Sequence, residues 1–332
     1  MANIRQPRHG SMQFWHRKRA RSERTRVRYW NESKNVLPLG FAGYKVAMTH
    51  VMLVDNRKTT PTKGETVAMP VTIVECPPLK VFGLRVYKNS YQSIIAAMDV
   101  ISDTLDKQLS RAIELPKKGK YAEKLASVEK DLDNYSNVTL LAHTQPYLCG
   151  FGKKKPEIFE LAVGGKNIKE KFAFIKDHIG KDLHVDQVFK EGQQVDIHAV
   201  TKGKGYQGPV KRFGVPIRGH KSEKTKRGPG SLGAWNAQAH MTYRVAHAGQ
   251  MGYHTRTEYN KWLVKITKNG PELNPKSGFK YYGIIRNPVV LIKGSVAGPA
   301  KRLIRFNQAT RKNTWLPEEA PTVEQVCVSN IS

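Results

Sequence analysis

"GYKVAMTHVMLVD" (43–55), "ETVAMPVTIVECPP" (65–78) and "LKVFGLRVY" (79–87) follow one another with short polar or proline-bearing breaks between them. Each run is rich in Val, Met, Leu and Ile and is punctuated by Gly and Pro, which is the texture of β-strands. Three in succession predict a small sheet or barrel. The same texture returns in "QVDIHAVTKG" (194–203) and in "YYGIIRNPVVLIKGSVAGPAKRLIRF" (281–306). Strand groups so far apart in the chain can share one sheet only if what lies between them is inserted or runs outside it.

The first interval turns helical. "SYQSIIAAMDVISDTLDKQLSRAIEL" (90–115), "KYAEKLASVEKDLDNY" (120–135) and "NIKEKFAFIKDHIG" (167–180) space their apolar residues by three and four, predicting helices. Two strand candidates, "NVTLLAHTQP" (137–146) and "PEIFELAVGG" (156–165), lie among them. Together these make an α+β unit of about a hundred residues, the size of a compact insert. The second interval, 207–277, is rich in Gly, Lys and Arg and is too long for a simple connection inside a compact domain. Either it is disordered or something outside the protein shapes it.

Charge supports the same division. The chain of 332 residues has 56 Lys and Arg against 27 Asp and Glu, a net charge of +29. Residues 85–200 carry 18 basic and 16 acidic residues, while 201–332 carry 23 and 6. The middle third is an ordinary water-facing domain; the flanks are anion-binding surface. Self-repulsion of this size calls for a polyanion, which is nucleic acid or an anionic membrane. No apolar run approaches 18 residues and no lipidation motif is present, so no membrane partner is expected. The N-terminus lacks the apolar stretch of a secretory signal, and it is too poor in Ser for a transit peptide. Three widely spaced cysteines, Cys76, Cys149 and Cys327, fit reduced thiols rather than a disulfide framework or zinc site.

The two basic arms differ in detail. "MANIRQPRHGSMQFWHRKRARSERTRVRYW" (1–30) has nine Lys or Arg and one Glu, interleaved with Phe14, Trp15, Tyr29 and Trp30. Its composition predicts ordering only on a partner. The Gly-rich "TKGKGYQGP" (201–209) reads either as a phosphate-cradling turn or as a hairpin exit, and both turn Lys202 and Lys204 toward an anion. "VKRFGVPIRGHKSEKTKRGPG" (210–230) has seven cations against Glu223 alone. With about ten phosphates neutralised, log affinity falls against log salt with a slope of roughly −7 to −9. From Lys224 to Thr257 no acid occurs, and "GSLGAWNAQAH" (230–240) places one indole among small residues. No apolar period surrounds Trp235 to bury it, so it is free to stack on an unpaired base. His240, His247 and His254 recur every seven residues, too far apart for one ion and with no acid or Cys to complete ligation. They are read as facing phosphate or base edges. No metal or cofactor is expected, and no nucleophile or phosphate-loop signature of an enzyme is present.

"PRHGSMQFWHRKRA" (7–20), "AVTKGKGYQGPVKRFG" (199–214), "GAWNAQAH" (233–240), "AGQMGYHTRTEYNK" (248–261) and "VLIKGSVAGPAKRLI" (290–304) carry a resemblance. Together they resemble the universal ribosomal large-subunit protein three family, in its archaeal and eukaryotic branch. The resemblance implies a β-barrel of the translation-protein type with an inserted α+β domain and two long RNA-binding extensions. Its expected bounds are 1–37 for the N-terminal extension, 38–87 with 186–206 and 278–332 for the barrel, 88–185 for the insert, and 207–277 for the central extension with its tryptophan finger. Trp235 matches the finger residue. This chain departs from the branch at Asn236-Ala237, where His-Pro is common, and at His247.

The resemblance implies a structural constituent of the large ribosomal subunit, cytoplasmic within the ribosome, and not an enzyme. It binds large-subunit ribosomal RNA, supports subunit assembly and shapes the peptidyl transferase centre region. Expected partners are that RNA and neighbouring large-subunit ribosomal proteins, with no free homo-oligomer. Candidate RNA contacts in the first arm are Arg5, Arg8, His9, Trp15, Arg17, Lys18 and Arg19. In the second they are Lys202, Lys204, Lys211, Arg212, Arg218, Lys221, Lys226, Arg227, Trp235, His240, Arg244 and Arg256. Two rivals, an RNA-modifying enzyme with basic gripping arms and a DNA-binding protein, share the charge but lack further support in the residues.

Overall fold

A computed structural model describes residues 8–116, 119–222, 224–233 and 243–328. In chain order its strands are β1 (Gly40–Val54), β2 (Thr66–Glu75), β3 (Leu79–Asn89), β4 (Ile94–Ile101), β5 (Asn137–His143), β6 (Ile158–Ala162) and β7 (Asp182–Leu183). They continue with β8 (Gln194–Val200), β9 (Tyr206–Gln207), β10 (Gly249–Gln250), β11 (Thr255–Thr267), β12 (Val289–Lys293), β13 (Leu303–Gln308) and β14 (Val323–Cys327). The α-helices are α1 (Tyr121–Lys130), α2 (Ile168–His178), α3 (Val185–Val188) and α4 (Pro209–Phe213). The chain is thus mostly β with few helices. It divides into two compact units: an arm unit of Met1–Ser22 with Val200–Arg256, and a sheet unit of Glu23–Ala199 with Thr257–Ser332.

The sheet unit is organised by a seven-stranded sheet in the order β13-β8-β11-β12-β2-β1-β14, with β1 also paired to β13. β1 manages three partners because it is long and irregular. Gly40–Tyr44 lies antiparallel to β13, and His50–Leu53 lies antiparallel to β14. A register shift between Lys45 and Ala47 bends the strand where the partner changes. A Cβ at Gly43 would sit 2.8 Å from the Glu75 carbonyl oxygen, so only glycine permits that close approach. The core is aliphatic and aromatic, with Phe41, Leu53, Ile73, Ile197, Leu291 and Ile304 buried. β12 and β13 are buried at nearly every position, which is why they read as continuous apolar runs.

β3 follows directly on β2 in sequence but belongs to a second sheet, ordered β4-β3-β5-β6 with β7 also on β3. The corner is Cys76-Pro77-Pro78, where two residues without an N–H end the first ladder. Helices α1 and α2 lay Val128, Phe172 and Ile175 into this unit's core and leave Lys and Glu in solvent. The helix expected over 90–115 is absent. Ile94–Ile101 instead pairs antiparallel with β3, and a short 3-10 turn, Lys107–Arg111, follows under an Asp106 cap. The Ser90–Ser93 turn makes a hairpin, and adjacent β-branched residues favour strand over helix at that point. The helices expected at 120–135 and 167–180, and the strands at 137–146 and 156–165, match α1, α2, β5 and β6 in position.

Residues 23–37 are held against the sheet unit by side-chain contacts. Thr25 and Val27 are buried. Thr25 Oγ1 donates to the His198 carbonyl at 3.1 Å, and Asn31 and Asn307 side chains donate to the Ala309 and Tyr29 carbonyls. Arg305 donates to the Thr25 and Glu160 carbonyls at 2.9 and 2.7 Å, with the Phe159 ring 4.5 Å from its guanidinium. Burial brings the Arg305 pKa down to about 9. Polar bonds to the backbone thus order a segment that has little apolar surface to bury. Strand β11, which falls inside the stretch 207–277, belongs to the seven-stranded sheet; its "WLV" (262–264) is buried.

Candidate nucleic-acid interface

The arm unit contains 17 Lys and Arg but a single acid, Glu223. None of its described residues belongs to the large apolar core cluster. What holds it is a set of cation–aromatic and guanidinium–carbonyl contacts. The Trp15 and Phe213 rings meet at 4.9 Å, with Arg8 over Trp15 at 4.7 Å and Arg17 over Phe213 at 4.3 Å. Arg256 lies 4.7 Å from the Phe14 ring and Arg19 5.4 Å from that of Tyr253. Such pairs are individually modest and gain as water is removed.

Local sequence explains the frame. Helix α4 begins at Gly208-Pro209 and ends at Gly214 in the left-handed region, the Pro-start and Gly-stop of a short helix. This turns Phe213, which is buried, toward the N-terminal arm. Gly10 has φ +80°, and a Cβ there would lie 2.4 Å from the Phe213 ring. "TKGKGYQGP" resolves into an extended segment rather than a phosphate cradle. β9 pairs with β10, and Lys204 and Tyr253 amides bond the Met251 and Lys202 carbonyls. The segment thus pairs with a stretch some forty residues further on, and Lys202 and Lys204 are exposed. Between Arg218 and Lys226 a backbone bond of 3.0 Å closes the basic stem.

The structure separates the expected contacts into two kinds. Lys18, Arg19, Lys202, Lys204, Lys211, Arg218, Lys221, Lys226 and Arg227 are exposed, and among the described residues none forms an ion pair with a carboxylate. Arg8 and Arg244 are exposed as well, with Arg8 donating to the Arg244 carbonyl at 2.8 Å. His9 and Arg256 are half-buried. Arg17, Arg212 and Trp15 are half-buried and turned inward. Arg212 donates to the carbonyls of Gln250, His247 and Arg17, and Arg17 to those of Phe14 and Arg212. Trp15 donates its indole N–H to the Tyr243 carbonyl. Burial, reinforced by neighbouring guanidinium groups, lowers the pKa of Arg17 from its ordinary value.

His254 does not face an anion. It is buried and donates from Nδ1 to the Lys18 carbonyl at 2.9 Å. Burial pushes its pKa down, the Lys18 bond opposes that, and Arg256, Arg17 and Arg212 add to the lowering. The imidazole ties the segment of Lys18 to that of His254. The sequence signal missed here is pairing between segments two hundred residues apart. Arg5, Trp235 and His240 lie outside the described residues. No group of three or more His, Cys, Asp or Glu able to hold a metal occurs among the described residues.

A polycationic unit with a single acid, packed through its own arginines and carrying exposed lysines that form no ion pair among the described residues, has the character of a nucleic-acid-binding surface. The model of the family described as "Ribosomal protein L3" matches residues 1–330. The chain is 49% identical over 310 residues to "Large ribosomal subunit protein uL3" of Archaeoglobus fulgidus, covering 92% of each chain. It is 45% identical over 314 residues to the protein of that name in Methanocaldococcus jannaschii, covering 93% of this chain and 92% of that one. With the Methanobrevibacter smithii protein the figures are 41% over 330 residues and 98% of each. The chain belongs to the ribosomal protein L3 family.

Proposed function

We propose that this protein is a structural constituent of the large ribosomal subunit, in the cytoplasmic ribosome, with the arm unit set into large-subunit ribosomal RNA. The observation that carries the reading is the segregation of 17 cations with one acid into a unit none of whose described residues belongs to the large apolar core cluster. Exposed lysines and arginines of that unit serve as phosphate contacts that fix orientation. The role is architectural: assembly and shaping of RNA, with neighbouring large-subunit ribosomal proteins as further partners, and no catalysis of its own.

Two finer points belong to the same reading. The pairing path β1-β2-β12-β11-β8-β13-β1 supports a closed barrel of the translation-protein type, with β3 to β7 and helices α1 and α2 as its inserted α+β domain. Trp235, in an acid-free stretch between exposed basic segments, is the finger residue that stacks on an unpaired base near the peptidyl transferase centre. A photo-crosslinker at position 235 in cells, followed by sequencing of the attached RNA, tests it. Crosslinks concentrated in large-subunit RNA near that centre are expected; crosslinks scattered over unrelated RNAs overturn the placement. Trp235→Ala is expected to leave thermal stability and most RNA affinity intact, and a collapse of stability contradicts the exposed finger.

A further inference from the structure

The sheet unit carries an aromatic held in an unusual posture. Tyr281 is 77% exposed and has φ +62°. Bulky residues rarely occupy the left-handed region, and those that do are held by their surroundings. Here the surroundings are unusually complete. Phe279 and Gly283 exchange backbone bonds of 2.9 and 3.0 Å across the tip. Asn274 bonds Ile285 through both amide and carbonyl, at 2.9 Å each. Phe279, Tyr282 and Ile285 are buried beneath, and the Tyr282 hydroxyl donates to Glu75, which is itself fully buried. The loop is a rigid pedestal with its tyrosine pointing outward.

The exposed charges of the loop itself have one sign. Residues 275–287 contain Lys276, Lys280 and Arg286 and no acid, and all three cations are exposed. Lys280 Nζ lies 5.8 Å from the Tyr281 ring centroid. Gly150 packs against Ile284, where a Cβ would come 2.2 Å from the Ile284 carbonyl oxygen. Immediately beyond it, in the acid-free "CGFGKKKP" (149–156), Lys154 and Lys155 are exposed. Protein interfaces deplete lysine from their centres. A solvent-facing ring with Lys280 beside it, and with further exposed cations on its own loop and on the segment that packs against Ile284, suits an unstacked base with its flanking phosphates.

We propose that Tyr281 is a base-stacking platform, with Lys280, Arg286, Lys154 and Lys155 as its phosphate contacts. It forms a second RNA site, on the sheet unit. The inference rests on the reading of the chain as a ribosomal RNA-binding protein.

Photo-crosslinking from position 281 and, in parallel, from position 19 of the arm unit in assembled large subunits tests it. Both positions crosslinking to ribosomal RNA is the expected result. Position 19 on RNA with position 281 on a protein overturns the platform and leaves the functional reading standing; neither on RNA overturns that reading itself. Affinity of the full-length protein for large-subunit ribosomal RNA supplies a second measurement. Tyr281→Phe keeps the ring and is expected to bind within about twofold of wild type. Tyr281→Asn, which tolerates the left-handed backbone, should retain the melting temperature and bind roughly 5- to 150-fold more weakly. Wild-type affinity in the Asn variant removes the proposal.

Discussion

Arg17 and Arg212 hold each other's backbone: the Arg17 guanidinium donates to the Arg212 carbonyl at 2.7 Å, and Arg212 returns a bond to the Arg17 carbonyl at 3.3 Å. Arg212 also reaches Gln250 and His247 carbonyls, so one guanidinium ties three chain segments of a unit with little apolar interior. Hydrogen bonds from charged donors contribute about 1.5–3 kcal/mol each, and lysine cannot reproduce the planar fork. Arg212→Lys is therefore expected to lower the local stability of the arm unit by about 2–3 kcal/mol. Hydrogen exchange at Gln250–His254 should accelerate by roughly 30- to 150-fold while the β1–β2 ladder exchanges at its former rate. Unchanged exchange at 250–254 would show that the bonds are incidental.

Lys202 and Lys204 make the opposite case. Both side chains are exposed, on an extended segment whose backbone bonds to Met251 and Tyr253 do not involve them. Replacing both by Gln should leave stability within about 0.5 kcal/mol. If they meet phosphates, the log–log salt slope of RNA binding becomes shallower by about 0.7–0.9 per lysine. Salt titrations of wild type and the double variant decide it, and identical slopes place these lysines off the RNA.

The same contrast explains what could be read beforehand. Sequence composition marked the basic arms, the strand texture and the acid-free stretch, because each is a local property of the chain. It did not separate Arg212 from Lys211, although one faces inward and its neighbour faces solvent. That division depends on Arg17 and His247 arriving from elsewhere in the sequence. His254 was misread as an anion contact for the same reason, since the Lys18 carbonyl that orients it lies in the other arm. At Ile94–Ile101 the apolar spacing suited a helix, and the pairing with β3, together with the adjacent isoleucines, made it a strand. Tyr281 gave no local signal, because its posture is imposed by Asn274, Gly283 and a glutamate two hundred residues earlier.

That glutamate, Glu75, is fully buried and is met by neutral donors rather than a cation. Its Oε1 accepts from the Arg286 and Asn287 amides at 2.9 Å and from Asn287 Nδ2 at 2.8 Å, while Tyr282 bonds Oε2. Burial, with Cys149 and Glu75 nearby, raises the Tyr282 pKa well above its usual value, so the hydroxyl stays a donor. Glu75→Gln is nearly isosteric but turns an N–H toward groups that also donate. A loss of about 2–4 kcal/mol is expected from urea unfolding, with the 274–287 loop exchanging faster. A variant as stable as wild type would show that the carboxylate bonds do not hold the loop.

Asp55, at the head of the β1–β2 connection, gives the clearest pH dependence. Its side chain is 1% exposed and accepts from the Arg57 amide and guanidinium and from the Thr60 and Thr62 hydroxyls, at 2.7–3.0 Å. The Arg57 side-chain bond is the largest cause holding its pKa well below the ordinary carboxylate range; burial opposes it, and the Arg57 amide and the Thr62 and Thr60 hydroxyls add to the lowering. A depressed folded-state pKa means that the unfolded chain binds the proton more readily. The Asp55 contribution is therefore fully present above the unfolded value of about 4 and fades as pH falls below it, toward the lower pH at which the folded carboxyl protonates. Asp55→Asn removes this group's titration, so the variant should be less stable than wild type at pH 7. The gap should narrow steadily between about pH 4 and pH 2. Urea midpoints across that range measure it, and a gap that stays constant with pH would show that Asp55 is not the group whose protonation loosens the loop.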